Sequence, residues 1–307
     1  MASDISSLIS HLIVLILAPP FFLGVIAKTK AVFAGRKGPP LLQAYYDLLR
    51  LGRKETITSR TSSLVLRAAP ALIFVSLFLS ALVVPLWGPA PLRFEGDLIL
   101  FVYLLGMGRF ATILAAMDVG SSFEGMGASR EATFGALTEL AFFLGLVALA
   151  TMTHSTSLTG IFKWEESHPL WHPALLILFG AFFLVLLTEN SRMPIDDPTT
   201  HLELTMIHEV MILDYGGPDL GLILYGTWVK LFLFMALVSS ILWPPWAAGV
   251  WAGAGWLIVK VMGMAIAIGV IESANARLRL IRIPQLLIAN FVATALSLVI
   301  ILIGRSV

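Results

Sequence analysis

Residues 189–209 read ENSRMPIDDPTTHLELTMIHE, a stretch holding three glutamates, two aspartates, two histidines and one arginine. It lies between two long apolar runs, Trp171 to Leu187 and Gly221 to Trp243. Each run approaches the roughly 20 apolar residues that carry a helix across a bilayer, so the charged stretch reads as a loop joining two spanning helices. Six more runs of the same kind lie outward from it: Leu8 to Ala27, Leu64 to Trp87, Leu98 to Met117, Ala132 to Met152, Val250 to Ile271 and Pro284 to Ile303. A composition of 58% hydrophobic and 13% charged residues, with a mean hydropathy of +0.91, excludes a soluble globule. The expectation is an all-α, polytopic integral membrane protein of about eight transmembrane helices, with amphipathic helices in its cytoplasmic loops. It forms a single membrane domain over residues 1–307.

Loop charge sets the expected orientation. The first run is preceded by Asp4 and followed by Lys28 and Lys30, the reverse of a cleaved signal peptide. With the N-terminus outside, the inner loops carry nine Lys and Arg from Lys28 to Arg67, then Arg130, Arg192, and three from Arg277 to Arg282. The outer loops carry Arg93, Lys163 and Arg305. This bias predicts a multi-pass protein of the cytoplasmic (inner) membrane with both termini on the outer, periplasmic side.

The chain has no cysteine, so it cannot itself hold an iron–sulfur cluster, a thiolate zinc or a c-type haem. His11, His154, His168, His172, His201 and His208 all lie near helix ends or in loops, which argues against a haem slung between two spanning helices. No phosphate-binding glycine loop follows a strand pattern.

The inner loops carry more information. In KTKAVFAGRKGPPLLQAYYDLLRLGRKE, a turn at Gly38-Pro39-Pro40 precedes a helix with Leu41, Leu42, Tyr45, Leu48 and Leu49 on one face. This amphipathic helix serves equally as an anchor among anionic headgroups or as a docking surface. In the opening stretch Asp197 is placed to cap a helix starting at Pro198 and running to about Tyr215, where Gly216-Gly217 stops it. His201 and His208 lie two turns apart, but no third ligand accompanies them, and polar residues facing water or a partner protein account for both.

Within the spans, Arg109, Glu139, Lys230 and Lys260 break the apolar pattern. An ionisable group at a helix centre costs at least about 2.5–3.5 kcal/mol, so each demands a buried partner or a wet cavity. At about 1.5 Å per residue all four fall roughly 10–16 Å from the inner surface, and Asp118, Glu189 and Glu272 mark inner helix ends. Separate structural ion pairs would explain any one of them. A shared layer joined to an acidic loop reads as a hydrated pathway for protons or another cation.

Four motifs then resemble subunit 1 of respiratory complex I (the NADH dehydrogenase subunit 1 family) across nearly the whole chain. They are GRKGPPLLQAYYDLLRLGRKE at Gly35 to Glu55, ENSRMP with Asp196, DYGG at Asp214 to Gly217, and ARLRLIRIPQLL at Ala276 to Leu287. Thr199, Thr200 and His201 stand where complex I members carry further glutamates. DDPTTHLELTMIHE with Lys230 resembles the hydrogenase branch, the formate hydrogenlyase subunit 4 type of group 4 NiFe-hydrogenase membrane anchor.

The resemblance implies a non-catalytic, energy-converting subunit of an oxidoreductase complex that binds no cofactor itself. It would seat a soluble arm, a NiFe-hydrogenase-like large subunit and an iron–sulfur small subunit carrying 4Fe-4S clusters, beside antiporter-like membrane subunits. The loops at about 28–63 and 189–220 would form the docking face, through Arg36, Lys37, Arg50, Arg53, Lys54, Arg192, Arg277 and Arg279. Ion coupling would fall to Arg109, Asp118, Glu139, Glu189, Asp196, Glu203, Glu209, Asp214, Lys230, Lys260 and Glu272. A quinone-site subunit of a complex I-like NADH dehydrogenase and a free-standing ion transporter remain open as alternatives.

Overall fold

The computed structural model describes residues 2–56, 62–166, 173–196, 206–244 and 250–306. Within them ten α-helices follow one another, α1 (Ala2–Phe33), α2 (Gln43–Leu51), α3 (Leu64–Val83), α4 (Asp97–Asp118), α5 (Ser122–Thr153), α6 (Leu158–Glu166), α7 (Pro173–Glu189), α8 (Gly217–Leu242), α9 (Val250–Ala274) and α10 (Ile283–Ser306). Single 3₁₀ turns occupy Glu209–Ile212 and Leu280–Arg282, and no strand occurs among the described residues. Among the described residues seven helices are long and apolar enough to cross a membrane, and α7 is a shorter apolar helix of 17 residues. The chain is a multi-pass membrane protein. One face of the bundle carries α2 and the segments between α7 and α8 and between α9 and α10; the opposite face carries α6.

α8 runs through the middle, packed on α1, α3, α7 and α9. Every residue from Leu231 to Ile241 is buried, as an all-round apolar helix requires. Buried hydroxyls on α4 and α5 bond back to their own turns, Thr112 to Gly108 O at 3.0 Å and Thr138 to Phe134 O at 2.8 Å, so neither is left unsatisfied in lipid. α1 carries Pro19 and Pro20 mid-helix, which deprives the carbonyls of Leu15 and Ile16 of their helical donors. The Tyr225 hydroxyl of α8 donates to both, at 3.0 and 3.1 Å, and the Tyr45 hydroxyl of α2 donates to Leu17 O. Both freed carbonyls are thereby satisfied by one neighbouring helix.

α5 begins ten residues before the expected Ala132, which brings Glu124, Arg130 and Glu131 into the helix. The expected helix to Tyr215 is absent from the part that is described; Asp197 to Thr205, including His201 and Glu203, lie outside the described residues. From 206 to 216 the chain is irregular apart from the one 3₁₀ turn. Its donors and acceptors are taken by side chains: Asp196 Oδ2 accepts from the N–H of Ile207 (3.1 Å) and His208 (3.3 Å), and Arg130 donates to Met206 O (2.9 Å). Met206, Val210 and Met211 bury themselves against Ala116 and Ala128. Burying this apolar set outweighs the helix that the local pattern favours.

Gly217 opens α8 and does not stop a preceding helix. Its φ is +57°, and a Cβ there would stand 2.7 Å from the carbonyl oxygen of Glu55. Gly216 has φ −141° and open space around it. Gly217→Ala is expected to lose at least about 1–2 kcal/mol from the left-handed conformation alone, plus the clash. The thermal midpoint of the detergent-solubilised protein should fall for Gly217→Ala and stay unchanged for Gly216→Ala.

Candidate functional site

Midway along α5, Glu131, Gly135 and Glu139 stand one turn apart on one face. The glycine leaves a slot between two acids, and the Arg109 side chain of α4 lies in it. A Cβ on Gly135 would stand 2.9–3.0 Å from Arg109 Cδ, Nε and Nη1. Arg109 Nε faces Glu131 at 3.3 Å, Nη1 faces Glu139 at 2.5 Å, and Nη2 donates to Glu189 Oε1 at the end of α7. Lys230 of α8 reaches the other oxygen of Glu189 at 2.7 Å. Three carboxylates thus meet two cations, so the fully ionised cluster carries one excess negative charge. Arg109 and Glu189 are buried, whereas the Glu139 side chain is 40% exposed on the flank of the bundle.

Towards the α2 face this layer meets the 206–216 segment. A gap of about 30 Å³ lined by Arg109, Glu131, Thr227, Lys230, His208 and Met211 has room for about one water molecule. Burial holds the His208 imidazole below its ordinary range; Glu131 opposes, Lys230 reinforces and Asp196 opposes. The imidazole is therefore uncharged at neutral pH. Beside it a chamber of about 880 Å³ opens, lined by the apolar Leu23, Ile26, Leu224 and Leu231 and by Glu189, Lys230, Asp196 and His208.

Two further ion-pair groups rim the chamber. Glu272 of α9 binds Lys30 at 3.0 Å and Arg192 at 3.3 Å, and Asp196 Oδ1 accepts from Arg277 at 2.6 Å. Glu209 lines the chamber and Asp214 is exposed. Arg36, Lys37, Arg50, Arg53, Lys54 and Arg279 are exposed.

Three expectations change. Lys260 does not share the layer: its Nζ donates to Ser240 Oγ (3.1 Å) and Trp243 O (2.8 Å), and Ser240 lies about 15 Å along α8 from Lys230. Helical side chains lean towards the N-terminus of their helix, which carries this lysine towards the α6 face. Arg192 is buried against Glu272, unlike the exposed Arg36, Arg50, Arg53 and Arg279. Asp118 stands apart from the layer and caps α3, accepting from Ser63 N at 2.8 Å and Leu66 N at 3.3 Å. Among the described residues no group of three His, Cys, Asp or Glu is placed to hold a metal. Glu131 was missed because its position lay before the expected start of the span. The spacing Glu-x-x-x-Gly-x-x-x-Glu was the available signal.

Such an arrangement defines a polytopic helical membrane subunit built around an intramembrane charge layer. The family model described as NADH dehydrogenase matches residues 6–303, and the chain belongs to that family. It is 29% identical to formate hydrogenlyase subunit 4 of Escherichia coli K12 over 291 residues, 91% of this chain and 92% of that protein. It is also 29% identical to hydrogenase-4 component C of the same organism over 240 residues, 77% of this chain and 74% of that protein. The fold matches a chain of the membrane-bound sulfane sulfur reductase, an archaeal respiratory membrane complex, with a TM-score of 0.84 at 22% identity. That match covers 96% of this chain and 99% of the other.

Arg109→Met would leave three acids with only Lys230, a loss of about 3–5 kcal/mol that should abolish stable accumulation in the membrane. Gly135→Val should act in the same direction by expelling the guanidinium. Gly125→Ala on the same helix, where a Cβ meets nothing within 4 Å, should accumulate normally. Immunoblots of washed membranes measure all three.

Proposed function

We propose that this chain is the membrane-anchor and ion-coupling subunit of a redox complex of the group 4 NiFe-hydrogenase or formate hydrogenlyase type. The reading rests first on one observation: three carboxylates share one guanidinium inside the bundle, within reach of a segment on the α2 face. Likeness to two hydrogenase-system subunits over most of the chain favours the branch. A soluble arm with a NiFe-type large subunit and an iron–sulfur small subunit would sit on the α2 face. That face would be cytoplasmic, with both termini on the other side, as the loop charges favour. Antiporter-like subunits would cover the flank where Glu139 is half-exposed, because a carboxylate left facing lipid is costly.

Coupling in this scheme is electrostatic. A unit charge added about 10 Å from a carboxylate is worth about 1.7 kcal/mol at an effective dielectric of 20, a little more than one pKa unit. Reduction of a cluster in the arm would favour protonation of the cluster's spare acid, and oxidation would release it. Glu189, tied to Arg109 and Lys230, hands the change from the α2 face to Glu139. Asp196, Glu209, Asp214 and Glu272 lie on the arm side of this relay. Glu203 is proposed there on sequence alone.

Glu139→Gln tests the reading. Arg109 keeps Glu131 and Glu189, so the complex should assemble and exchange electrons with artificial dyes. Proton or sodium movement in sealed vesicles should be lost. Normal ion movement would remove the coupling role.

A second test concerns docking. Replacing the exposed Arg50, Arg53 and Lys54 by glutamate should shed the soluble subunits on purification while this chain stays in the membrane. Unchanged co-purification would assign α2 to lipid headgroups.

One observation favours a second reading, a quinone-site subunit. The chamber's volume lies within the range of small-molecule sites, and its lining combines apolar residues with His208 and Lys230. Those two side chains would hold a quinone headgroup. A purified complex that contains nickel and is indifferent to quinone analogues supports the hydrogenase reading; a nickel-free complex inhibited by them supports the other.

A further inference from the structure

Glu124 is the third residue of α5, the position from which a glutamate reaches back to the N-cap backbone. It does not do so here. The side chain is buried, with 1% of the residue exposed, and neither carboxylate oxygen has a hydrogen-bond partner. The Ser121 side chain and the Asp214 backbone approach without hydrogen-bonding geometry, Asp214 acts on it electrostatically, and among the described residues no cation does. What buries it is the 206–216 segment. Gly127, one turn further along α5, lies so close to that segment that a Cβ would stand 2.3 Å from Val210 Cγ1 and 2.9 Å from Ile207 O. An ionised carboxylate sealed under an apolar plug, facing a second carboxylate, is unstable in place. A neutral acid is not.

We propose that Glu124 is a proton-binding site that latches the 206–216 segment onto α5, seated while the carboxyl holds its proton and released when it ionises. The inference rests on the coupling reading above for its purpose: the seated plug packs Met206, Val210 and Met211 against Ala116 and Ala128, on the α2-face side of Glu131. The charged groups around the latch are few. The segment brings Asp214; α4 ends at Asp118; α8 brings Asp219 in its first turn; α10 opens beside the exposed Arg282. Tyr215 stands among these acids and donates to Leu66 O at 2.9 Å. On α5 itself, Arg130 is turned to Met206 O. His208 belongs to the same segment but lies in the field of Glu131, Lys230 and Asp196, and would loosen the plug by gaining charge as pH falls. Glu124 acts with the opposite sign: it loosens the plug as pH rises.

The chain contains no cysteine, so single thiols can be placed cleanly. In the detergent-solubilised full chain, Met211→Cys under the plug and Leu213→Cys on its exposed surface are labelled with a membrane-impermeant maleimide across neutral and alkaline pH. Taking the ratio of the two removes the thiol's own reactivity. The ratio is expected to rise with pH, and Glu124→Gln, permanently neutral, should hold it low at every pH. Amide hydrogen exchange of the 206–216 peptide in the solubilised chain without added thiols should follow the same pattern, which covers the case in which Met211→Cys does not fold. A ratio or exchange rate independent of pH, or one that rises equally in Glu124→Gln, overturns the latch. These readouts do not depend on ion movement, so they separate a failed latch from a failed coupling role, which Glu139→Gln decides.

Discussion

A guanidinium placed inside an apolar bundle must be surrounded by acceptors, and Arg109 meets that demand by drawing on two other helices. Lipid supplies no hydrophobic force between spanning helices, so packing, hydrogen bonds and charge set how they turn against one another. From α4, Arg109 engages two acids of α5 and one of α7, and Glu189 passes the link to Lys230 on α8. The rotation of α4, α5, α7 and α8 is thereby fixed at one depth. Rotating α5 by one residue, about 100°, would carry both of its glutamates off the arginine and fill the slot at Gly135.

That fixed frame explains why irregular backbone is tolerated beside it. Helix breaks in a membrane protein survive only where neighbours satisfy the freed groups. At Pro19 and Pro20 the neighbour is Tyr225, one turn from Lys230 on the same central helix. At the start of α3 it is Asp118, borrowed from the end of α4. In both places a side chain from another helix replaces a missing turn, and in both the lender belongs to the set that Arg109 holds in register.

The spans were legible in the sequence because each is a long apolar run, and so were the intramembrane charges, because lipid tolerates so few. Arg109, Glu139 and Lys230 share a depth in the sequence, whereas Glu189, which the sequence marks as an inner helix end, joins them in the structure. Depth failed for Lys260, whose long flexible stem carries its charge well away from its Cα. Glu131 was hidden because the apolar run starts after it while the helix starts before. The 206–216 segment misled for a different reason: its helical periodicity is real, but Asp196 and Arg130 claim its backbone and a cluster of small residues accepts its apolar side chains. Nor does charge alone distinguish an arginine at a surface from one folded under, as Arg192 shows.

Asp196 divides its two oxygens between partners that are far apart in the chain. One holds Arg277 in the segment between α9 and α10; the other holds the backbone of Ile207 and His208. Leu278 N donates to Pro194 O at 2.8 Å, so the same two segments are pinned a second time. The 276–282 turn is thereby tied through one carboxylate to the backbone of His208, whose side chain lies in the gap beside Lys230.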